Sequence, residues 1–339
     1  AQDELNSDER SFTFDTFWDV SYGPAQGTAN LCDVLIPRYP GDAVLSDASS
    51  TRSPPVSVIG DKRPAVVLVH GGGWVSGDKW VQGAYARLLA KQGILVININ
   101  YRLAPDHLFP AMADDVRTAL IFLNQHADAL SVDQNRIGLG GYSAGAHLSS
   151  LISVMMNEPI STRVLSSHWG ADDPRWGKLP KIAGACVGGP PCDFRNLPPA
   201  NVSMAYFLGG SREEVPDQYF AASVTAHVSP GDPPIRIIHG DKDFIVPIAN
   251  SEGLIEACRN HDVPAELIRI PGEGHLVTFM HDRTQAAVAE FFRDLFFKGD
   301  THSGDGNSSL ANAGGQLSED DVRVVPAKTG VGHADAANQ

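Results

Sequence analysis

Short apolar runs alternate with amphipathic stretches over most of the chain. Residues 65–69 (AVVLV) are apolar at five successive positions, largely β-branched, and followed closely by three glycines, the pattern of a strand buried on both faces. Residues 94–99 (ILVINI) form a second such run, and residues 136–140, 182–187, 235–239 and 265–270 supply four more. Residues 11–22 and 30–36 alternate polar and apolar, as antiparallel strands at one edge of a sheet do. Helical patterns lie between the runs. After Pro110, a residue suited to a first helical position, Met112, Val116, Ala119, Leu120 and Leu123 share one stripe of a 3.6-residue period. Val288, Phe291, Phe292, Leu295 and Phe296 repeat the stripe and predict a last helix with its aromatic face on the sheet. The alternation predicts an α/β domain, a mostly parallel, twisted, eight-stranded sheet with helices on both faces.

Two stretches fall outside this pattern. Residues 39–63, rich in Pro, Ser, Asp and Gly, read as a surface excursion between edge strands. Beyond about Gly299 the chain carries Gly, Ser, Asn, Asp and Ala with few apolar side chains and cannot bury enough surface to fold alone. The expected organisation is a domain over residues 1–299 and a low-complexity tail over 300–339, tethered through the Val322-Arg323-Val324-Val325 run or linking to a further domain. No internal repeat is evident.

Composition narrows the function. The 339 residues are 42% hydrophobic and 19% charged, as in a soluble globular protein. A net charge of −14, from 26 basic and 40 acidic residues, argues against nucleic acid and anionic membranes as partners. No apolar run approaches the roughly 18 residues of a membrane span. The chain opens Ala1-Gln2-Asp3 without a methionine, as a mature N-terminus does after cleavage or as a segment cut from a longer sequence does; secretion or a periplasmic location is slightly favoured over the cytoplasm. The four cysteines lack zinc-site spacing. Cys186 and Cys192 flank a Gly-Gly-Pro-Pro loop and are either a disulfide or unpaired thiols.

Gly141-Tyr142-Ser143-Ala144-Gly145 matches G-x-S-x-G, in which a strained strand-to-helix turn lifts the serine hydroxyl above a sheet. A predicted strand precedes it and a helical segment, residues 144–156, follows. The strand at residues 65–69 runs into His70-Gly71-Gly72-Gly73-Trp74. Exposed amides of such a loop suit an oxyanion, and the donors are assigned to Gly72, Gly73 and Ala144. No G-K-[ST] or G-x-G-x-x-G supports a phosphate loop instead. His70 has no companion ligands for a metal and is read as shaping the loop.

A serine needs a base, and the base needs a carboxylate to fix its tautomer. Of twelve histidines, His275 follows a predicted strand within Pro271-Gly272-Glu273-Gly274-His275 and is preferred; His239 reads as core and the others as helix, surface or tail residues. Asp243 in Gly240-Asp241-Lys242-Asp243 is preferred to Asp241, which reads as a turn former. The order Ser143, Asp243, His275 is that of α/β-hydrolases.

Together these segments resemble the hormone-sensitive-lipase-like and BD-FAE-like esterases of the α/β-hydrolase superfamily. The carriers are HGGGW at residues 70–74, NYRLAPDHLFPA at 100–111, DDVRTALIFL at 114–123, VDQNRIGLGGYSAGAHL at 132–148, HGDKDFIVP at 239–247 and GEGH at 272–275. The resemblance implies an α/β-hydrolase fold, a bracing role for Tyr101 and Arg102, and neither metal nor organic cofactor. No long helical cap precedes the first strands. Residues 193–233, with Phe194, Met204, Tyr206, Phe207, Leu208, Tyr219 and Phe220, are the expected short cap. Trp74, Tyr142 and Phe207 are the expected substrate-lining residues. The expected activity is hydrolysis of small acyl or aryl esters. The alternatives are a kynurenine-formamidase-like amide hydrolase, a feruloyl, acetyl or polyester esterase, and a catalytically dead binding protein. Lipid-interface activity is disfavoured, since no long amphipathic lid is evident. Oligomeric state is not legible.

Overall fold

In a computed structural model, residues 11–45, 57–298 and 322–325 are described. In chain order the strands are β1 (Phe14–Ser21), β2 (Leu31–Pro37), β3 (Ala43–Leu45), β4 (Ser57–Ile59), β5 (Arg63–Val69), β6 (Leu95–Ile99), β7 (Val132–Tyr142), β8 (Gly184–Gly188), β9 (Ile235–Gly240), β10 (Ala265–Ile270) and β11 (Val322–Val325). The helices are α1 (Gly83–Lys91), α2 (Ala111–Gln125), α3 (Ala144–Met155), α4 (Ile160–Arg163), α5 (Ala205–Leu208), α6 (Pro216–Ala222), α7 (Ala249–Asn260), α8 (His275–Met280) and α9 (Asp282–Phe297). The main sheet runs β1-β2-β6-β5-β7-β8-β9-β10-β11. Its six central strands are parallel, and β1, β2 and β11 are antiparallel to their neighbours.

Eight of these strands are the eight expected. The ninth is the Val322–Val325 run, which pairs with β10 from Ala265 opposite Val325 to Ile268 opposite Val322. Within the excursion, β3 and β4 form a separate two-stranded ribbon. Pro110 precedes α2 as its N-cap, one position earlier than expected.

Every residue of β5 is buried, and the strand period divides them between two cores. Ala65, Val67 and Val69 meet α2, α3 and α7; Val66 and Leu68 meet α1 and α9. Each such Val or Leu side chain gains about 1.5–3 kcal/mol on burial. Val288, Phe292 and Phe296 bury their side chains from α9, as the stripe predicts.

All four cysteines are free and buried, so the disulfide alternative fails. Alternation along β8 turns Cys186 into the α1/α9 core, whereas Cys192 lies in the core on the other face.

A flap over α2, containing α4 and two 3-10 turns (Val164–Ser166 and Pro174–Lys178), was not anticipated. Buried Arg117 donates to Ser166 O and Oγ, both at 2.6 Å. Asp114 accepts from Ser167 Oγ at 2.5 Å and His168 N at 2.8 Å. Trp169 and Trp176 then pack edge to face over Ile121.

Candidate active site

Ser143 stands between the last residue of β7 and the first of α3, half-buried, with φ 56° and ψ −120°. A side-chain-bearing residue in that region costs on the order of 1–3 kcal/mol, so its surroundings must hold it there. Its N–H donates to Gly188 O at 2.7 Å and its carbonyl accepts from His147 N at 2.9 Å. Gly145 lets α3 abut the end of β5: a Cβ there would lie 2.0 Å from Val69 O.

The glycine loop passes beside this turn, with the Cβ position of Gly71 3.3 Å from Ser143 Cβ. Gly72, Gly73 and Trp74 all have positive φ, at 125°, 61° and 64°. Gly72 O accepts from Val75 N, Ser76 N and Ser76 Oγ, which closes the loop on itself. Among the described residues the N–H groups of Gly72 and Gly73 donate to no protein acceptor, and Ala144, first in α3, has no intrahelical acceptor. His70 donates from Nδ1 to Gly71 O at 2.7 Å and stacks on Tyr101, whose hydroxyl donates to His70 O. Burial lowers the His70 pKa, consistent with a neutral ring that shapes the loop. Arg102 forks onto Asp115 and reaches Ala111 O, the brace expected of it.

His275 opens α8 and its Nδ1 lies 2.5 Å from Asp243 Oδ2, both residues being buried. Asp243 Oδ1 accepts the amides of Ile245 and Val246. Burial pushes the Asp243 carboxyl up, but hydrogen bonds from His239, Val246 N and His275 outweigh it and hold the pKa at about 2. His275 Nε2 is buried without a hydrogen-bond partner. The ring packs on Gly189, where a Cβ would stand 3.0 Å from His275 Cε1. Thus the Gly188–Gly189 turn touches Ser143 on one residue and His275 on the next. Asp241 takes the other role read for it, accepting Gly272 N at 2.7 Å at the surface. His239, read as core, also approaches Asp243, with Nε2 3.2 Å from Oδ2; its place four residues before the acid was the available signal.

The three residues expected to line the substrate site do not line an open surface. Trp74 and Phe207 are buried and stacked on each other at 4.1 Å, with Trp74 Nε1 donating to His147 Nδ1. The short turn of α5 sends Phe207 inward and leaves Tyr206 outside, its hydroxyl 3.8 Å from the Cβ position of Gly73. Tyr142 turns away behind the serine, donating to His275 O at 2.6 Å and bordering a void of about 20 Å³ with Tyr85, Cys186 and Phe279. That space suits one water, not an acyl group.

Among the described residues thirteen large hydrophobic side chains are exposed, and six sit on the segments carrying Gly73, Asp243 and His275: Val75, Phe244, Ile245, Leu276, Val277 and Met280. Exposed apolar side chains gathered on the segments that carry the candidate site form an apolar rim, unlike singly scattered surface residues. Among the described residues no group of three or more His, Cys, Asp or Glu is placed to hold a metal ion. None of their helices is long and apolar enough to cross a membrane.

The sequence model of the BD-FAE family matches residues 56–258, more than half of the chain. The chain belongs to the BD-FAE family. All but the last of the motifs that carry the resemblance to α/β-hydrolase esterases lie within the matched residues of this BD-FAE chain. It is 30% identical to esterase LipC of Mycobacterium tuberculosis over 219 residues, covering 62% of this chain and 52% of LipC. It is 27% identical to the probable carboxylic ester hydrolase LipM of the same organism, covering 82% and 61%. It spans between half and about three fifths of these curated relatives. A truncated carbohydrate esterase from gut microbiota superposes with a TM-score of 0.69 at 21% identity, over 85% of this chain and 98% of that one, which shows the shared fold.

Proposed function

We propose that the protein is a serine carboxylic-ester hydrolase acting on small acyl or aryl esters. One observation carries this reading. A strained, half-buried Ser143 lies across the Gly188–Gly189 turn from a buried His275–Asp243 pair whose Nε2 has no partner. Because Nδ1 donates its proton to the carboxylate, Nε2 holds a lone pair and can accept the serine proton. Ser143 then attacks the ester carbonyl, and the negative oxygen that forms is received by the amides of Gly72, Gly73 and Ala144. His275 returns the proton to the leaving alcohol, and water activated by the same imidazole releases the acid. The apolar rim supports an acyl or aryl group over a charged substrate, and the esterase names of LipC and LipM agree with the chemistry.

The test is hydrolysis of p-nitrophenyl esters of increasing acyl length, with N-formylkynurenine alongside and Ser143→Ala as control. Turnover of short esters that vanishes in a folded Ser143→Ala variant is expected. Turnover of the formamide alone moves the protein to amide hydrolysis, and silence on both sinks the proposal for small esters.

A further inference from the structure

We propose that His239 is a positioning residue for the acid–base pair, supplying a second imidazole donor to the Asp243 oxygen that receives His275. The inference deepens the esterase reading and rests on it. The His239 ring is fully buried near the end of β9. Its Nε2 lies 2.8 Å from Val246 O and 3.2 Å from Asp243 Oδ2, and its Nδ1 lies 2.6 Å from the hydroxyl of fully buried Ser251. A carbonyl can only accept, so Nε2 carries the proton and shares it between Val246 O and Asp243. Nδ1 therefore holds a lone pair, and Ser251 donates into it.

The result is a chain of donors in one direction: Ser251 to His239, and His239 to Asp243. His275 Nδ1 meets the same carboxylate oxygen at 2.5 Å, while Ile245 and Val246 occupy the other with their amides. Val246 closes the arrangement, giving its N–H to Asp243 and taking the His239 proton on its carbonyl. The carboxylate is thus held in the orientation that His275 needs. A phenylalanine would fill the same space and supply none of these bonds. The titratable groups facing Asp243 are His239, His275 and Tyr142. Against the upward push of burial, the His239 hydrogen bond is foremost among the influences that lower the Asp243 pKa.

The experiment compares His239→Phe, His239→Gln and Ser251→Ala with the intact protein on p-nitrophenyl acetate, with folding checked by circular dichroism. The Phe variant is expected to lower kcat roughly tenfold to a hundredfold, as loss of an orienting partner does, with KM little changed. A carboxylate with one donor fewer draws the His275 proton more strongly, so the acidic limb of kcat/KM moves to higher pH. Gln, whose amide N–H can stand in for Nε2–H toward Asp243 and Val246 O, returns the limb toward its original place, and Ser251→Ala moves it less but in the same direction as the Phe variant. A folded His239→Phe variant with kcat and limb unchanged overturns the proposal. If that variant does not fold, an unmoved limb in Ser251→Ala overturns it equally. The far-downfield NMR signal of the His275 Nδ1 proton reports independently of any substrate. It shifts in the His239 variants if the contact is as inferred, and its constancy overturns the inference. Inactivity of the intact protein on every ester instead sinks the esterase reading alone.

Discussion

Replacing His147 by leucine tests how the glycine loop is held. The ring is fully buried on α3, accepting at Nδ1 from Trp74 Nε1 at 3.2 Å and donating from Nε2 to Ala222 O at 2.7 Å. It joins the strained residue after the glycine loop to the end of α6. Leucine strands both partners in the core, and a buried polar group left unsatisfied costs about 1–3 kcal/mol. The two together predict a loss of about 3 kcal/mol at neutral pH, taken low in the range because the Trp74 bond is long. Acid changes that figure. Burial, partly offset by the bond to Ala222 O, lowers the His147 pKa from 6.5 to about 4. The folded value lies below the unfolded one, so this stability is present above pH 6.5 and drains away as pH falls toward 4. It amounts to roughly 3 kcal/mol in all. Leucine has nothing to lose in that window, so the gap between the two proteins should close on acidification. Urea unfolding followed by circular dichroism at pH 7.5, 6 and 5 measures the gap. An equal gap at all three pH values would mean that the ring is not held neutral in the fold, and the argument would fail.

Asp243→Asn should lower kcat by about four orders of magnitude. Asp241→Asn, which keeps an acceptor for Gly272 N, should leave it near normal; the opposite result in ester assays exchanges their roles. Gly189→Ala places a methyl group 3.0 Å from His275 Cε1 and adds backbone strain at φ +55°. Its kcat should drop roughly a hundredfold with the thermal midpoint showing a folded protein, and full activity would mean that the imidazole sits elsewhere. Burial pushes the Asp232 carboxyl up to about 7, and its Oδ1 is buried without a partner. That raised value makes the fold more stable in acid and less stable as pH climbs from about 4 to 7. Asp232→Asn should therefore gain on the order of 2 kcal/mol at pH 8 and little at pH 4; equal denaturant midpoints at pH 8 would refute the charge penalty.

The parallel sheet was legible because its central strands are buried on both faces and read as unbroken apolar runs. The segments carrying Ser143, Asp243 and His275 were legible because each follows such a run and is marked by glycines. What escaped depends on direction rather than identity. Phe207 and Tyr206 are adjacent aromatics on a four-residue turn, too short for a periodic pattern to tell inside from outside. Cys186 and Cys192 are close in sequence, yet strand alternation sends Cys186 to the face opposite Cys192. The flap over α2 is held by Arg117 and Asp114, which in sequence resemble solvent-facing helix charges. His239 looked like core and is core; its spacing of four from Asp243 hinted at a contact, and the fold shows that its buried Nε2 faces the carboxylate.

The pairing of β11 with β10 bears on how the molecule behaves in a crowd. β10 is the last of the parallel strands, and its outer side is closed by Val322–Val325 from far along the chain. A version ending after Phe297 retains Ser143, Asp243 and His275 but leaves that ladder open, a row of amides and carbonyls ready for any extended backbone. Stickiness would then rise with concentration while dilute-solution activity stayed intact, a divergence that light scattering beside an ester assay would register. The C-terminal strand is in that sense a guard against neighbours, separate from the chemistry carried by the loops of the same sheet.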